Sequence, residues 1–66
     1  MKNRIKVERA IHDMTQEDLA HEIGVSRQTI NSIEKNRYVP STLLALKIAR
    51  RFGKSVDDIF QLSEED

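Results

Sequence analysis

Arg27, Gln28, Asn31 and Ser32 are the side chains whose types and spacing suit recognition chemistry, because they interleave with Ile30 and Ile33. The two isoleucines, three apart, begin one helical face, so the four polar groups point elsewhere. A carboxamide such as that of Gln28 can bond N6 and N7 of adenine together, a contact worth about 1–3 kcal/mol of discrimination. The Arg27 guanidinium can pair with guanine O6 and N7 or hold a phosphate, and residue type leaves both open. Asn31 and Ser32, a turn further along, can reach a base edge or the backbone. Other chemistries are not provided for. No serine, threonine or histidine makes a triad-like set, and no glycine-rich phosphate loop occurs. His12 and His21 fall on separate helices, in no metal spacing and without a third ligand. No enzyme, no metal and no cofactor is expected.

The apolar residues around these groups say what must position them. Leu19, Ala20 and Ile23 form a helical face, Gly24 stops that helix, Val25 fills a turn, and Ser26 offers an N-cap. Thr15 caps the earlier helix, with Asp18 three residues on as a weak capping box. Gln16, Glu17 and Asp18 put acceptors and negative charge in its first turn, where the macrodipole favours them. The spacing predicts helices over 15–22 and 26–35, locked at a steep angle across residues 15–35. Such a helix-turn-helix suits insertion of its second helix into a DNA major groove.

Upstream, Val7, Ala10, Ile11 and Met14 predict a first helix over 3–13. Residues 35–40 lack a period, and Pro40 disfavours helix at Val39. Ser41 then caps a fourth helix with a stripe of Leu44, Ala45, Ile48, Ala49 and Phe52, ended by Gly53. Ser55 caps a fifth, with Asp57 and Asp58 in its first turn and Val56, Ile59 and Phe60 turned inward. Gln61, Leu62 and Ser63 fit a helix end or a short extended segment equally well. The expected fold class is all-α: one domain, 1–66, of five short helices around one core.

Sixty-six residues stand near the lower limit for folding without staples, and there is no cysteine to supply one. No apolar run approaches membrane length and no signal-peptide segment follows Met1, so a cytoplasmic protein is expected. Net charge is zero but uneven. Residues 1–54 hold all 11 Lys and Arg, with Glu8, Asp13, Glu17, Asp18, Glu22 and Glu34 as their only acids. Residues 55–66 hold Asp57, Asp58, Glu64, Glu65 and Asp66 with no base. That asymmetry allows a basic side facing nucleic acid with the acidic end turned away. A solvated acidic tail explains it equally well.

The stretch TQEDLAHEIGVSRQTINSIEKNRYVPSTLLALKIARRF resembles the Cro/C1-type helix-turn-helix, also called the XRE family. The small alanine of helix two, the turn glycine, SRQTIN, IEKN and the proline-serine before helix four fall in order, and the resemblance covers roughly residues 4–60. It implies a compact five-helix lambda-repressor-like DNA-binding domain. Among stand-alone members the chain is similar to the cytolysin-operon repressor type, a small dimer without an effector domain, so no small-molecule effector is expected. Glu8 and Thr42 depart from the pattern, standing where many members carry leucine. Helix one is accordingly expected to pack through Val7 and Ile11, and the start of helix four to be looser.

The family's residue roles transfer position by position. Gln16 belongs over the DNA backbone, where its amide and the helix-end N–H groups can hold a phosphate, and in similar members this glutamine braces the first recognition-helix side chains. Thr29, Asn36, Arg37 and Tyr38 are implied backbone contacts, with Tyr38 alternatively a loop anchor packed on Pro40. Arg9 and Glu34 are implied as a structural ion pair, and a partly desolvated Glu34 would be costly alone.

One such module covers about four or five base pairs, too few for useful specificity in a genome. A homodimer on a palindromic site, with half-sites about one turn apart, answers this. Ile59, Phe60 and Leu62 are the interface candidates, with a short terminal β-ribbon of Met1–Arg4 against 61–63; the alternative is that they close the core. The leading reading is a dimeric repressor of transcription on double-stranded DNA. An antitoxin that also binds a toxin, and an interaction module of the same fold, are the rivals.

Overall fold

Four hydroxyl side chains decide where helices begin. The computed structural model describes residues 1–66, in the order β1 (Lys2–Asn3), α1 (Ile5–Ile11), α2 (Gln16–Ile23), α3 (Arg27–Glu34), α4 (Thr42–Arg51), α5 (Val56–Ile59) and β2 (Phe60–Gln61). The hydroxyls of Thr15, Ser26, Ser41 and Ser55 accept from the backbone N–H three residues on, satisfying donors that a helix start leaves unpaired. Thr15 with Asp18 and Ser55 with Asp58 form full capping boxes, each carboxylate accepting in return from the cap's own N–H. The start of α4 is therefore held and not loose: Ser41 Oγ accepts from Leu44 N at 3.2 Å, and Leu44 is buried while Thr42 faces solvent.

Four helix ends share one device. After α1, α2, α3 and α4 the chain turns through a left-handed residue, Asp13 (φ 54°), Gly24 (φ 83°), Asn36 (φ 59°) and Gly53 (φ 66°). Around Asn36 this gives Asn36 N to Ile33 O at 3.0 Å and Arg37 N to Ser32 O at 2.9 Å. Those paired bonds satisfy the last carbonyls of α3, and asparagine tolerates the conformation better than most residues with a Cβ.

Ile5, Leu19, Ile30, Ile33, Ile48 and Ile59 are wholly enclosed, with Met14, Ala20, Ile23, Leu44, Ala49, Phe52 and Phe60 completing one core. The expected packing of α1 through Val7 and Ile11 does not occur: they are 44% and 66% exposed, and Ala10 faces solvent too. Ile5 seats in the core, and at about 100° per residue the next inward position is Glu8, with Val7 and Ile11 on the far side. Glu8 is 2% exposed.

The termini form a two-residue antiparallel ribbon, Lys2 opposite Gln61 and Asn3 opposite Phe60, extended by Arg4 N to Ile59 O at 2.9 Å. It pairs residues 60–61, slightly earlier than the expected 61–63, because α5 ends after one turn and Phe60 is already extended. This also corrects the expected contact set. Ile59 is fully buried and Phe60 is 7% exposed, both sealed into the core by the ribbon and α4, whereas Leu62 is 81% exposed.

Candidate nucleic-acid interface

The outward face of α3 is shaped by what fixes its inner one. Ile30 and Ile33 anchor it in the core, leaving Arg27 and Gln28 exposed and Thr29, Asn31 and Ser32 half-buried along its flanks. Two shallow depressions meet at Gln28. Ser26, Arg27, Gln28, Asn31 and Lys35 line one; Ser26, Gln28, Thr29, Ser32 and Tyr38 line the other. The structure thus brings the four base-reading candidates together, with Thr29 and Tyr38 at their edge. Tyr38 borders the second depression and is 46% exposed. The Thr29 hydroxyl lies 2.9 Å from that of Ser26, so it is partly engaged at the cap.

A polar network holds the carboxyl end of α3 to α1 and α2. Arg9 grips Glu34 with both arms, Nε to Oε2 at 2.7 Å and Nη2 to Oε1 at 3.0 Å, while Nη1 donates to Met14 O at 3.0 Å. The Arg9 and Glu34 side chains are 14% and 7% exposed, so each removes a charge the other could not hold there alone. The hydrogen bond to Glu34 raises the Arg9 pKa above its ordinary value, against the opposing effect of burial. Gln16 Nε2 reaches Asn31 Oδ1 at 3.2 Å and Glu34 Oε1 at 3.3 Å. Gln16 is therefore a brace between α2 and α3, and Asn31 keeps its amide N–H groups free for another acceptor.

Electrostatically the face is cationic. Arg27, Lys35 and Arg37 have no carboxylate within 4.0 Å, and the one acid of α3 is neutralised by Arg9. Sequence reasoning overlooked Lys35, although it falls seven residues after Gln28 on the same stripe. It also overlooked Asn3, whose amide donates to Ile33 O at 3.0 Å and to Asn36 Oδ1 at 3.1 Å. No local pattern announces a contact between residues 33 apart.

Residues 5–59 match the family model described as helix-turn-helix. An uncharacterized HTH-type transcriptional regulator of Methanocaldococcus jannaschii is 54% identical over 66 residues, covering all of both chains. The HTH-type transcriptional regulator YgzD of Bacillus subtilis, also uncharacterized, is 50% identical with the same full coverage. Among solved structures, the clp gene regulator ClgR of Corynebacterium glutamicum superposes with a TM-score of 0.75 at 28% identity. That match covers 82% of this chain and spans 57% of ClgR.

Proposed function

The chain belongs to the helix-turn-helix family of transcriptional regulators with a Cro/C1-type DNA-binding domain, and we propose that it acts as a repressor binding a palindromic operator as a homodimer. The observation that carries this is the outer face of α3. Arg27 and Gln28 project from a helix pinned on its inner side by core isoleucines and at its end by Arg9, Glu34 and Gln16. A rigid helix with free guanidinium and carboxamide groups is what direct reading of a major groove requires. Asn31 and Ser32 add further contacts to base or backbone. Thr29, Lys35, Asn36, Arg37 and Tyr38 supply backbone contacts that set register without reading sequence. Occupying a promoter in this way needs no ligand.

Dimerisation is assigned to the apolar surface beside the ribbon. Met1, Val39, Pro40, Leu46 and Val56 line a groove floored by Phe60. Val39 (68%), Leu46 (53%) and neighbouring Leu62 (81%) stay exposed in the monomer. A second copy is the occupant, since one module reads too few base pairs alone.

Selection of bound duplexes from a random pool tests the reading. Gln28→Ala and Arg27→Ala are expected to relax the consensus at separate positions; an unchanged consensus in both would overturn the base-reading assignment. Leu46→Glu with Leu62→Glu is expected to give a folded monomer that loses cooperative binding to the full palindrome. A dimer retained in sedimentation would remove this interface.

A further inference from the structure

Asn3 lies in the terminal ribbon, remote in sequence from the recognition helix, yet it makes the only side-chain hydrogen bonds that bind that helix's last carbonyls. We propose that Asn3 is a positioning residue for DNA backbone contact, setting the loop that carries Lys35, Asn36, Arg37 and Tyr38. This role rests on the reading of α3 as the recognition helix.

The geometry is a two-way clamp. Asn3 Nδ2 donates to Ile33 O at 3.0 Å and to Asn36 Oδ1 at 3.1 Å, with Glu34 O at the longer distance of 3.5 Å. Its Oδ1 accepts from Ile5 N at 3.3 Å, tying the start of α1 to the same side chain. Its backbone is fixed opposite Phe60 in the ribbon. Asn36 is where the chain leaves α3 through a left-handed turn, which decides the direction in which Arg37 and Tyr38 depart. The amide therefore fixes the side chain of the residue at which the loop's course is set. It also places its dipole's positive end at the carboxyl terminus of α3, where the macrodipole favours it. Because the other side of Asn3 is the ribbon beside the proposed dimer surface, the same residue relates each phosphate-holding loop to the dimer axis.

Asn3→Asp separates this role from a plain structural one. It keeps the oxygen that accepts from Ile5 N and removes the donor that reaches Ile33 and Asn36. Asn3→Ala removes both and adds no charge. A slope reduced in both variants is owed to the lost donor; a slope reduced in Asn3→Asp alone is owed to the new carboxylate and overturns the proposal. With circular dichroism verifying the fold, Asn3→Asp is expected to select the wild-type consensus. It is expected to bind all duplexes more weakly, with a salt slope reduced by about one phosphate contact. Amide exchange at Asn36 and Arg37 should quicken in the free protein. Wild-type slope and affinity in a folded Asn3→Asp variant would overturn the proposal, as would a changed consensus with an unchanged slope. If the wild-type protein binds no duplex at all, the recognition-helix reading fails and this role with it; the exchange rates still report whether the clamp itself exists.

Discussion

Glu8 and Arg9 are neighbours on one helix, and both are carried into the fold, yet their charges are met in opposite ways. Arg9 finds a bidentate carboxylate and a backbone carbonyl, and its partner Glu34 receives a further bond from Gln16. Glu8 is more deeply enclosed, but its Oε1 has no hydrogen-bond partner. The nearest basic groups are the His12 imidazole (Nε2) and the Lys54 ammonium (Nζ), each at 3.8 Å, beyond hydrogen-bond reach. A buried charge pair offsets its desolvation only with good geometry and satisfied lone pairs. Arg9–Glu34 meets that condition, whereas Glu8 does not. The satisfied network pins α3, whereas the carboxylate with the unpartnered Oε1 lies between α1 and the α4–α5 turn, beside His12 and Lys54.

Breaking the satisfied side should have the largest effect. Arg9→Met leaves Glu34 enclosed without its counter-charge, a loss of about 3–5 kcal/mol. A 66-residue domain holds only about 3–10 kcal/mol in total, so the variant should lose a large share of its stability and show a much lower urea midpoint. The double variant Arg9→Met with Glu34→Leu should recover much of that stability in urea titration. A double variant as unstable as the single one would show that the pair is not the source of the loss.

Sharpening the comparison from the other side reverses the sign. Glu8→Leu removes a desolvated charge and fills the same inward position with apolar volume. It should raise stability, since a desolvated carboxylate gives way to packed apolar volume and the Lys54 ammonium left behind is half-exposed to water. DNA affinity should be unaltered, since Glu8 touches no residue of the α3 face. A lower urea midpoint for Glu8→Leu would mean that His12 and Lys54 compensate the carboxylate better than their distances imply.

The same contrast explains what could be read from the sequence. Caps were legible because Thr15, Ser26, Ser41 and Ser55 act on N–H groups three residues away, a purely local relation. The outward set of α3 was legible because Ile30 and Ile33 define its inner face. The inward face of α1 was not, since a buried glutamate erases the apolar period and leaves Val7 and Ile11 as a false one. Asn3 was invisible because its partners are brought near only by the ribbon. Phe60 could be assigned inward from its place after Ile59, but its closure by β1 depends on where α5 stops.

A smaller effect follows from weakening Gln16, the neutral member of the satisfied network. Gln16→Ala leaves the Arg9–Glu34 pair intact and removes one hydrogen bond to each of Asn31 and Glu34. The expected stability loss is about 1 kcal/mol, near the net worth of such bonds. DNA affinity should fall alongside it, because Asn31 is no longer held; a loss of stability with undiminished affinity would leave Gln16 a structural residue only.

Exposed carboxylates give the smallest effect and the limiting case, where water rather than the fold satisfies the charge. Hydrogen bonds from Thr15 and Ser55 hold Asp18 and Asp58 below the ordinary carboxylate range. Bonds from the Ser63 N–H, the chain's amino terminus and the Ser63 hydroxyl draw Asp66 down to about 2. A carboxyl whose pKa is lower in the folded chain binds its proton more readily unfolded, so it adds stability only above the unfolded value. These three groups should therefore leave stability level near neutral pH and lower it as pH falls from about 4 towards 2. Asp66→Asn should flatten the last part of that acid descent, measured as melting temperature against pH, by lowering the melting temperature slightly at pH 7 and leaving it like wild type near pH 2. An acid descent identical to wild type would show that the amino terminus and Ser63 do not hold Asp66 in solution.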